Sequence, residues 1–177
     1  MISDAHLGVQ DAIRTVLTGA TWQRCRVHTM RNILAQVPHR DKSMVVAAIR
    51  TIFAQPNQTE AKRQLAEVVT TLRGRWDKAA AILEGAADDV LAYMAFPREH
   101  WTRIDSTNPL ERLNGEIKRR TEVVGIFPNE AAITRLVGAI LLEQNDEWAV
   151  QRARYMTRET MTEMIEPPAM NLPAVAA

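Results

Sequence analysis

A single cysteine in 177 residues rules out an internal disulfide framework, and makes a reducing cytoplasm the expected compartment. The N-terminus has no basic, then apolar, leader: Ser3, Asp4 and His6 stand where one would begin. No apolar run free of charge is long enough to span a membrane, so no membrane partner is expected. Aromatic residues are scarce at 5%, which fits helices. Charge of one sign is lacking too, since 22 basic and 21 acidic residues leave a net +1. That sum says little about partners, and only local clusters of charge can matter. What is present is 46% apolar and 24% charged residues, an ordinary globular composition that excludes wholesale disorder. The length suits one domain with a real core, or a small domain plus an appended helical piece.

The most informative stretch is Ser106 to Thr121, STNPLERLNGEIKRRT. Asn108 is a good N-cap, Pro109 fits the first helical position, and Leu110, Leu113 and Ile117 repeat at helical spacing. Glu111 and Lys118 are seven residues apart, which returns them to nearly the same direction two turns along. Arg112, Arg119 and Arg120 add positive charge, as suits a helix lying against a phosphate backbone. Two readings stand side by side. Asn108 with Glu111 is also a capping box, in which Glu111 satisfies only a backbone N–H. Lys118-Arg119-Arg120 can equally be a solvated face.

In chain order, Ser3-Asp4-Ala5-His6 resembles the exit of a strand whose body is missing, so a truncated start is expected. Leu7 to Leu17 is amphipathic and ends at Thr18-Gly19. Thr21 to His28 alternates as a strand, with Trp22, Arg24, Arg26 and His28 on one face and Cys25 on the other. Cys25-Arg26-Val27-His28 looks like half a zinc site, yet zinc needs about four ligands and a strand would aim Cys25 and His28 apart, so no zinc is expected. A helix is expected from Met30 to Val37. The next apolar stripe is Val45, Val46, Ile49, Ile52 and Phe53, broken at Gln55-Pro56-Asn57. Thr59 caps a helix to Leu72, short helices cover Trp76–Leu83 and Asp88–Phe96, and REHWTRID is a connector. Asn129 caps a last helix running to about Met156, and a proline-containing, disordered tail occupies 159–177. The fold expected from these elements is mainly α with one short strand.

Six stretches, SDAH, WQRCRVHTMRNIL, AFPREHW, STNPLERLNGEIKRRT, VVGIFPNE and RLVGAILLEQNDEW, occur in this order. Together they resemble the Mutator-type bacterial insertion-sequence transposases, whose catalytic domain is of the RNase H-like DDE class. The resemblance implies the C-terminal part of an RNase H-like α/β catalytic domain carrying an all-helical insertion. Residues 1–28 would be a remnant of the core, 29–105 the insertion and 106–158 the C-terminal helices of the core.

The resemblance also implies chemistry. Asp4 matches the second of three metal-holding carboxylates and Glu111 the third, with Glu116 as the fallback. Cys25 and His28 match the family's C-x-x-H signature, with a role in site architecture or DNA contact. Mg2+ or Mn2+ is the implied cofactor, and DNA the implied partner, with Lys118, Arg119, Arg120, Arg112, Arg24 and Arg26 as candidate backbone contacts. The first carboxylate has no match, so this chain is expected not to cleave or join DNA alone. The alternative is a non-catalytic helical module that binds DNA or a full-length transposase and interferes with it, and self-association is a further expected partnership. Apolar surface exposed between Leu7 and His28 is expected on the same grounds.

Overall fold

A computed structural model describes residues 1–150, which group into two compact units, Met1–Glu116 and Ile117 onward. The first unit opens with strand β1 (Ile2–Ser3), helix α1 (Leu7–Val16) and strand β2 (Gln23–Arg24). β1 and β2 pair in parallel, Ile2 opposite Gln23 and Ser3 opposite Arg24. Parallel neighbours need a crossover, and α1 supplies it. One expected strand thus becomes two, because Ile2-Ser3 is too short to show any alternation of its own. Helix α1 buries Ile13 but leaves Leu7 75% and Val16 73% exposed, an open apolar face as anticipated.

The expected strand over Thr21–His28 is corrected. It stops at Arg24, and helix α2 (Arg26–Leu34) begins four residues before the expected Met30. Cys25 is the last residue to join the ladder, its N–H donating to the Ser3 carbonyl at 2.7 Å. The Arg26 N–H turns away to the Asp105 carbonyl at 3.0 Å, and Thr29 Oγ1 donates back to the Cys25 carbonyl at 2.9 Å. Thr29 and Ile33, four apart on α2, are the residues it buries.

The core lies in α2, α3 (Lys42–Phe53), α4 (Gln58–Leu72) and α5 (Asp77–Gly85). Ile33, Val45, Ile49, Ile52, Leu65, Leu72 and Leu83 are buried in one cluster; on α3 the spacing of four and three from Val45 to Ile52, and on α4 the seven from Leu65 to Leu72, put these residues on one helical face. The cap of α4 is Asn57, whose Oδ1 accepts the Glu60 N–H at 2.9 Å, and not Thr59, which lies inside the helix. The reason is position: a cap lies just before the first turn, where its side chain reaches an N–H two or three residues on. A short helix α6 (Ala87–Val90) and a 3-10 turn (Ala92–Ala95) replace the single helix expected over Asp88–Phe96. The presumed connector contains a 3-10 turn (Arg98–His100) and one helical turn, α7 (Trp101–Ile104). Tyr93 and Trp101 meet edge to face, 5.7 Å between centroids, and tie this region to the cluster.

Helix α8 (Asn108–Val124) runs from the first unit into the second, which also holds α9 (Glu130–Val150). Asn129 caps α9 as expected, its Oδ1 accepting the Ala132 N–H at 2.9 Å. Arg120 on α8 pairs with Glu143 on α9 at 2.6 Å, and Gly125 at φ +73° makes the turn between the two helices, a conformation glycine adopts without strain. The expected end of the last helix at Met156 and the tail at 159–177 lie outside the described residues. No helix among the described residues is long and apolar enough to cross a membrane.

Candidate active site around Glu111

The segment Ile104–Thr107 is stitched to the β2–α2 junction residue by residue. Gln23, buried at the edge of the strand pair, donates through Nε2 to the Ile104 carbonyl at 2.6 Å. Arg26 takes the Asp105 carbonyl through its backbone and the Asp105 carboxylate through Nη2, at 2.7 Å. The Thr107 N–H donates to Cys25 Sγ at 3.4 Å. These bonds fix where α8 starts relative to α2, and so where Glu111 is held.

The start itself departs from expectation. Thr107, and not Asn108, is the N-cap: its carbonyl accepts the Glu111 N–H at 3.0 Å, and Asn108 is already helical. The Glu111 carboxylate does not complete a capping box either, because it faces a side-chain cluster. Thr107 Oγ1 lies 2.7 Å from Glu111 Oε1, 3.4 Å from Cys25 Sγ and 3.5 Å from His28 Nδ1. His28 Nδ1 is 3.7 Å from Glu111 Oε1. Arg31 Nη1 is 3.8 Å from Glu111 Oε2 and 3.5 Å from His28 Nε2.

Cys25 and His28, placed on opposite faces in a strand, are brought to the same residue by the helix that replaces it. Three positions are nearly one helical turn, so both side chains reach Thr107.

The buried Cys25 thiol has a lowered pKa. Burial pushes it up, but hydrogen bonds from the Thr107 hydroxyl, the His28 N–H, the Thr107 N–H and the His28 ring more than offset this. The Thr107 hydroxyl has a single proton, however, and an ionised carboxylate can only accept. At 2.7 Å to Glu111 against 3.4 Å to sulfur, that proton belongs to Glu111.

The other residues singled out from sequence are placed as follows. Asp4 is exposed and directly follows β1, while Cys25 directly follows β2, so both stand at the carboxyl end of the parallel pair, where open α/β sheets bind ligands. Arg24 is half-buried, with a buried Nε that has no hydrogen-bond partner. Arg26 is committed to Asp105, and its guanidinium also covers the Phe53 ring at 5.0 Å from the centroid. Arg112 is exposed and Glu116 half-buried on α8. In the second unit, Lys118 is exposed with Nζ 3.7 Å from Glu122, Arg119 is exposed, and Arg120 holds Glu143.

Sequence reasoning passed over Thr107, Arg31 and Asp105. Thr107 was legible in principle, since a residue four before Glu111 shares its helical face. The Arg26–Asp105 pair, far apart in the chain, left no such signal.

For a hard divalent cation, the oxygen donor of Glu111 is chemically apt. No group of three or more His, Cys, Asp or Glu that could hold a metal ion is found among the described residues. Among the described residues Glu111 is therefore one oxygen donor and not a complete ligand set.

Residues 1–151 match the family described as "Transposase, Mutator family". The chain is 44% identical over 160 residues to the transposase for insertion sequence element IS1081 of Mycobacterium tuberculosis, covering 90% of this chain and 38% of that protein. It is 41% identical over 149 residues to the transposase for insertion sequence element IS406 of Burkholderia multivorans, covering 84% and 38%. It is 36% identical over 159 residues to the transposase for insertion sequence element IS256 in transposon Tn4001 of Staphylococcus aureus, covering 88% and 40%. The chain thus spans about two fifths of the length of these relatives.

Proposed function

The chain belongs to the Mutator family of transposases, and from that premise we propose that it is the C-terminal part of a DDE, RNase H-like catalytic domain that acts in DNA transposition. The observation that carries the reading is the side-chain cluster around Glu111, a carboxylate gripped by Thr107 and flanked by His28 and Arg31. Nothing in ordinary helix capping calls for that arrangement. In this reading Glu111 and Asp4 are two of the carboxylates that hold Mg2+ or Mn2+. The ion, when bound, supplies the charge that activates an attacking oxygen and steadies the leaving one at a phosphodiester.

The chain's own residues then have separate tasks. Thr107 and His28 orient the Glu111 carboxylate. Arg31, 60% exposed beside it, offers a guanidinium to a phosphate oxygen, as do Arg112, Lys118 and Arg119, while Arg120 contributes less because Glu143 already holds it. Two carboxylates make an incomplete two-metal site, so the 177-residue chain alone is expected to bind DNA and not to cut it.

The test is binding to duplex DNA as salt is varied. Each phosphate contact contributes about −0.9 to the slope of log affinity against log salt, so Lys118→Ala, Arg119→Ala and Arg120→Ala combined should flatten that slope by ~2. Binding absent at low salt, or a slope the triple variant leaves unchanged, refutes the DNA contacts. The exposed Leu7 and Val16 of α1 favour a second reading, a non-catalytic module that docks on a longer transposase chain and interferes with it. Co-purification with that longer chain would support it.

A further inference from the structure

The cluster holds more information than the identity of its carboxylate. Thr107 Oγ1 has one proton to give and two lone pairs to fill. Its proton goes to Glu111, for the reason of distance and charge given above. The two remaining neighbours must then donate to it. Cys25 can do so through S–H at 3.4 Å and His28 through Nδ1–H at 3.5 Å. That tautomer leaves His28 Nε2 as an acceptor, and Arg31 Nη1 stands 3.5 Å from it to donate. With Cys25 as the neutral thiol, this one assignment gives the Thr107 hydroxyl and both His28 ring nitrogens a partner. It runs in a single direction, from Arg31 through His28 and Thr107 to Glu111, with Cys25 feeding the same hydroxyl.

We propose that Thr107 is the positioning residue of the site, through which Cys25 and His28 act on Glu111. The threonine hydroxyl fixes the rotamer of the Glu111 carboxylate, and the Cys25–His28 turn of α2 fixes the hydroxyl. Cys25 has no reach to Glu111 of its own among the described contacts: its sulfur meets α8 only at Thr107. The backbone bond from the Thr107 N–H to the same sulfur pins the residue that carries the hydroxyl. The pair is thereby an outer support for a carboxylate and not a metal site in its own right. This rests on the reading of Glu111 as a cation ligand for its purpose, though not for its geometry.

The experiment uses the whole chain, labelled with 13C-carboxyl glutamate and followed by NMR. Glu111 is identified as the resonance lost in Glu111→Gln. Without metal, Thr107→Val, which keeps the shape and removes the hydroxyl, should shift that resonance, and Thr107→Ser should leave it in place. Cys25→Ala, which removes the anchor without touching either partner of the bond, should shift it in the same direction as Thr107→Val. Mn2+ is then titrated, and its broadening of the Glu111 resonance should need ~10-fold more metal in Thr107→Val, as for loss of an outer hydrogen bond to a ligand, and be restored in Thr107→Ser. The proposal is overturned if Thr107→Val or Cys25→Ala leaves the metal-free resonance unmoved, or if Thr107→Ser shifts it as far as Thr107→Val. Failure of Mn2+ to broaden Glu111 in the unsubstituted chain, or broadening of Glu116 in its place, would sink the metal reading alone. The metal-free shifts would still decide the role of Thr107.

Discussion

Replacing Arg26 with methionine tests whether this residue is structural before it is anything else. Asp105 keeps 7% of its side-chain exposure and Arg26 keeps 35%, with 2.7 Å between their charged atoms. Removing one partner of a fully buried ion pair costs ~3–5 kcal/mol, because the other charge is left without compensation. Arg26 is partly in water, which screens the pair, so the figure is discounted to ~2–3 kcal/mol. Methionine keeps an apolar stem against Phe53, so the lost cation–π contact adds only about 0.5 kcal/mol. A loss of ~2–3 kcal/mol lowers the Tm of a chain this size by roughly 4–12 °C.

The pH dependence gives the second half of the test. Burial pushes the Asp105 pKa up, and Arg26 and a hydrogen bond from Ser106 pull it back without cancelling the rise. A carboxyl whose folded pKa exceeds its unfolded value contributes fully below the unfolded pKa, and that contribution is lost as pH rises through the folded one. Taking Arg26 away raises the folded pKa of Asp105 further. The penalty of Arg26→Met should therefore be largest at neutral pH and shrink as pH falls through that raised value. Urea unfolding followed by tryptophan fluorescence, for both chains at neutral and at successively lower pH, measures it directly. A penalty below ~0.5 kcal/mol at neutral pH, the range of an ordinary surface substitution, or one that does not change with pH, would refute the assignment of Arg26 to Asp105.

Two further outcomes bear on the scaffold. Asn57→Ala should cost ~1 kcal/mol in thermal or urea unfolding through loss of the α4 cap, and Thr59→Ala should cost much less, since Thr59 lies inside the helix; the reverse order would restore Thr59 as the cap. Leu83→Ala should cost ~2–5 kcal/mol by the same measurement, because Leu83 is fully buried in the helical cluster and its removal leaves a cavity.

The helices were legible because each carries its own signal. The stripes Val45–Phe53 and Ala61–Leu72 recur at helical spacing, and Val45, Ile49 and Ile52 are buried on α3 and Ala61, Leu65, Val68, Val69 and Leu72 on α4, while Val46 and Phe53 are only half-buried. Asn129 was readable as a cap because a side chain reaching the N–H three residues on is a local event. The family, too, lay in the order of six short stretches. The Thr21–His28 segment was misread for a physical reason: its alternation was compatible with a strand, but strand length is set by the partner, and β1 supplies only Ile2-Ser3. Once the ladder ran out, Arg26 turned to Asp105.

That turn decided the site. The sequence alone determined that Glu111 stands on a helix with basic residues after it, and that Cys25 and His28 are three apart. Which of these meet was settled by tertiary structure, because the bonds between Gln23 and Ile104, Arg26 and Asp105, and Thr107 and Cys25 join residues some eighty positions apart. Local periodicity carries no information over such a separation, whereas packing two helix starts against each other brings a thiol, an imidazole, a hydroxyl and a carboxylate together.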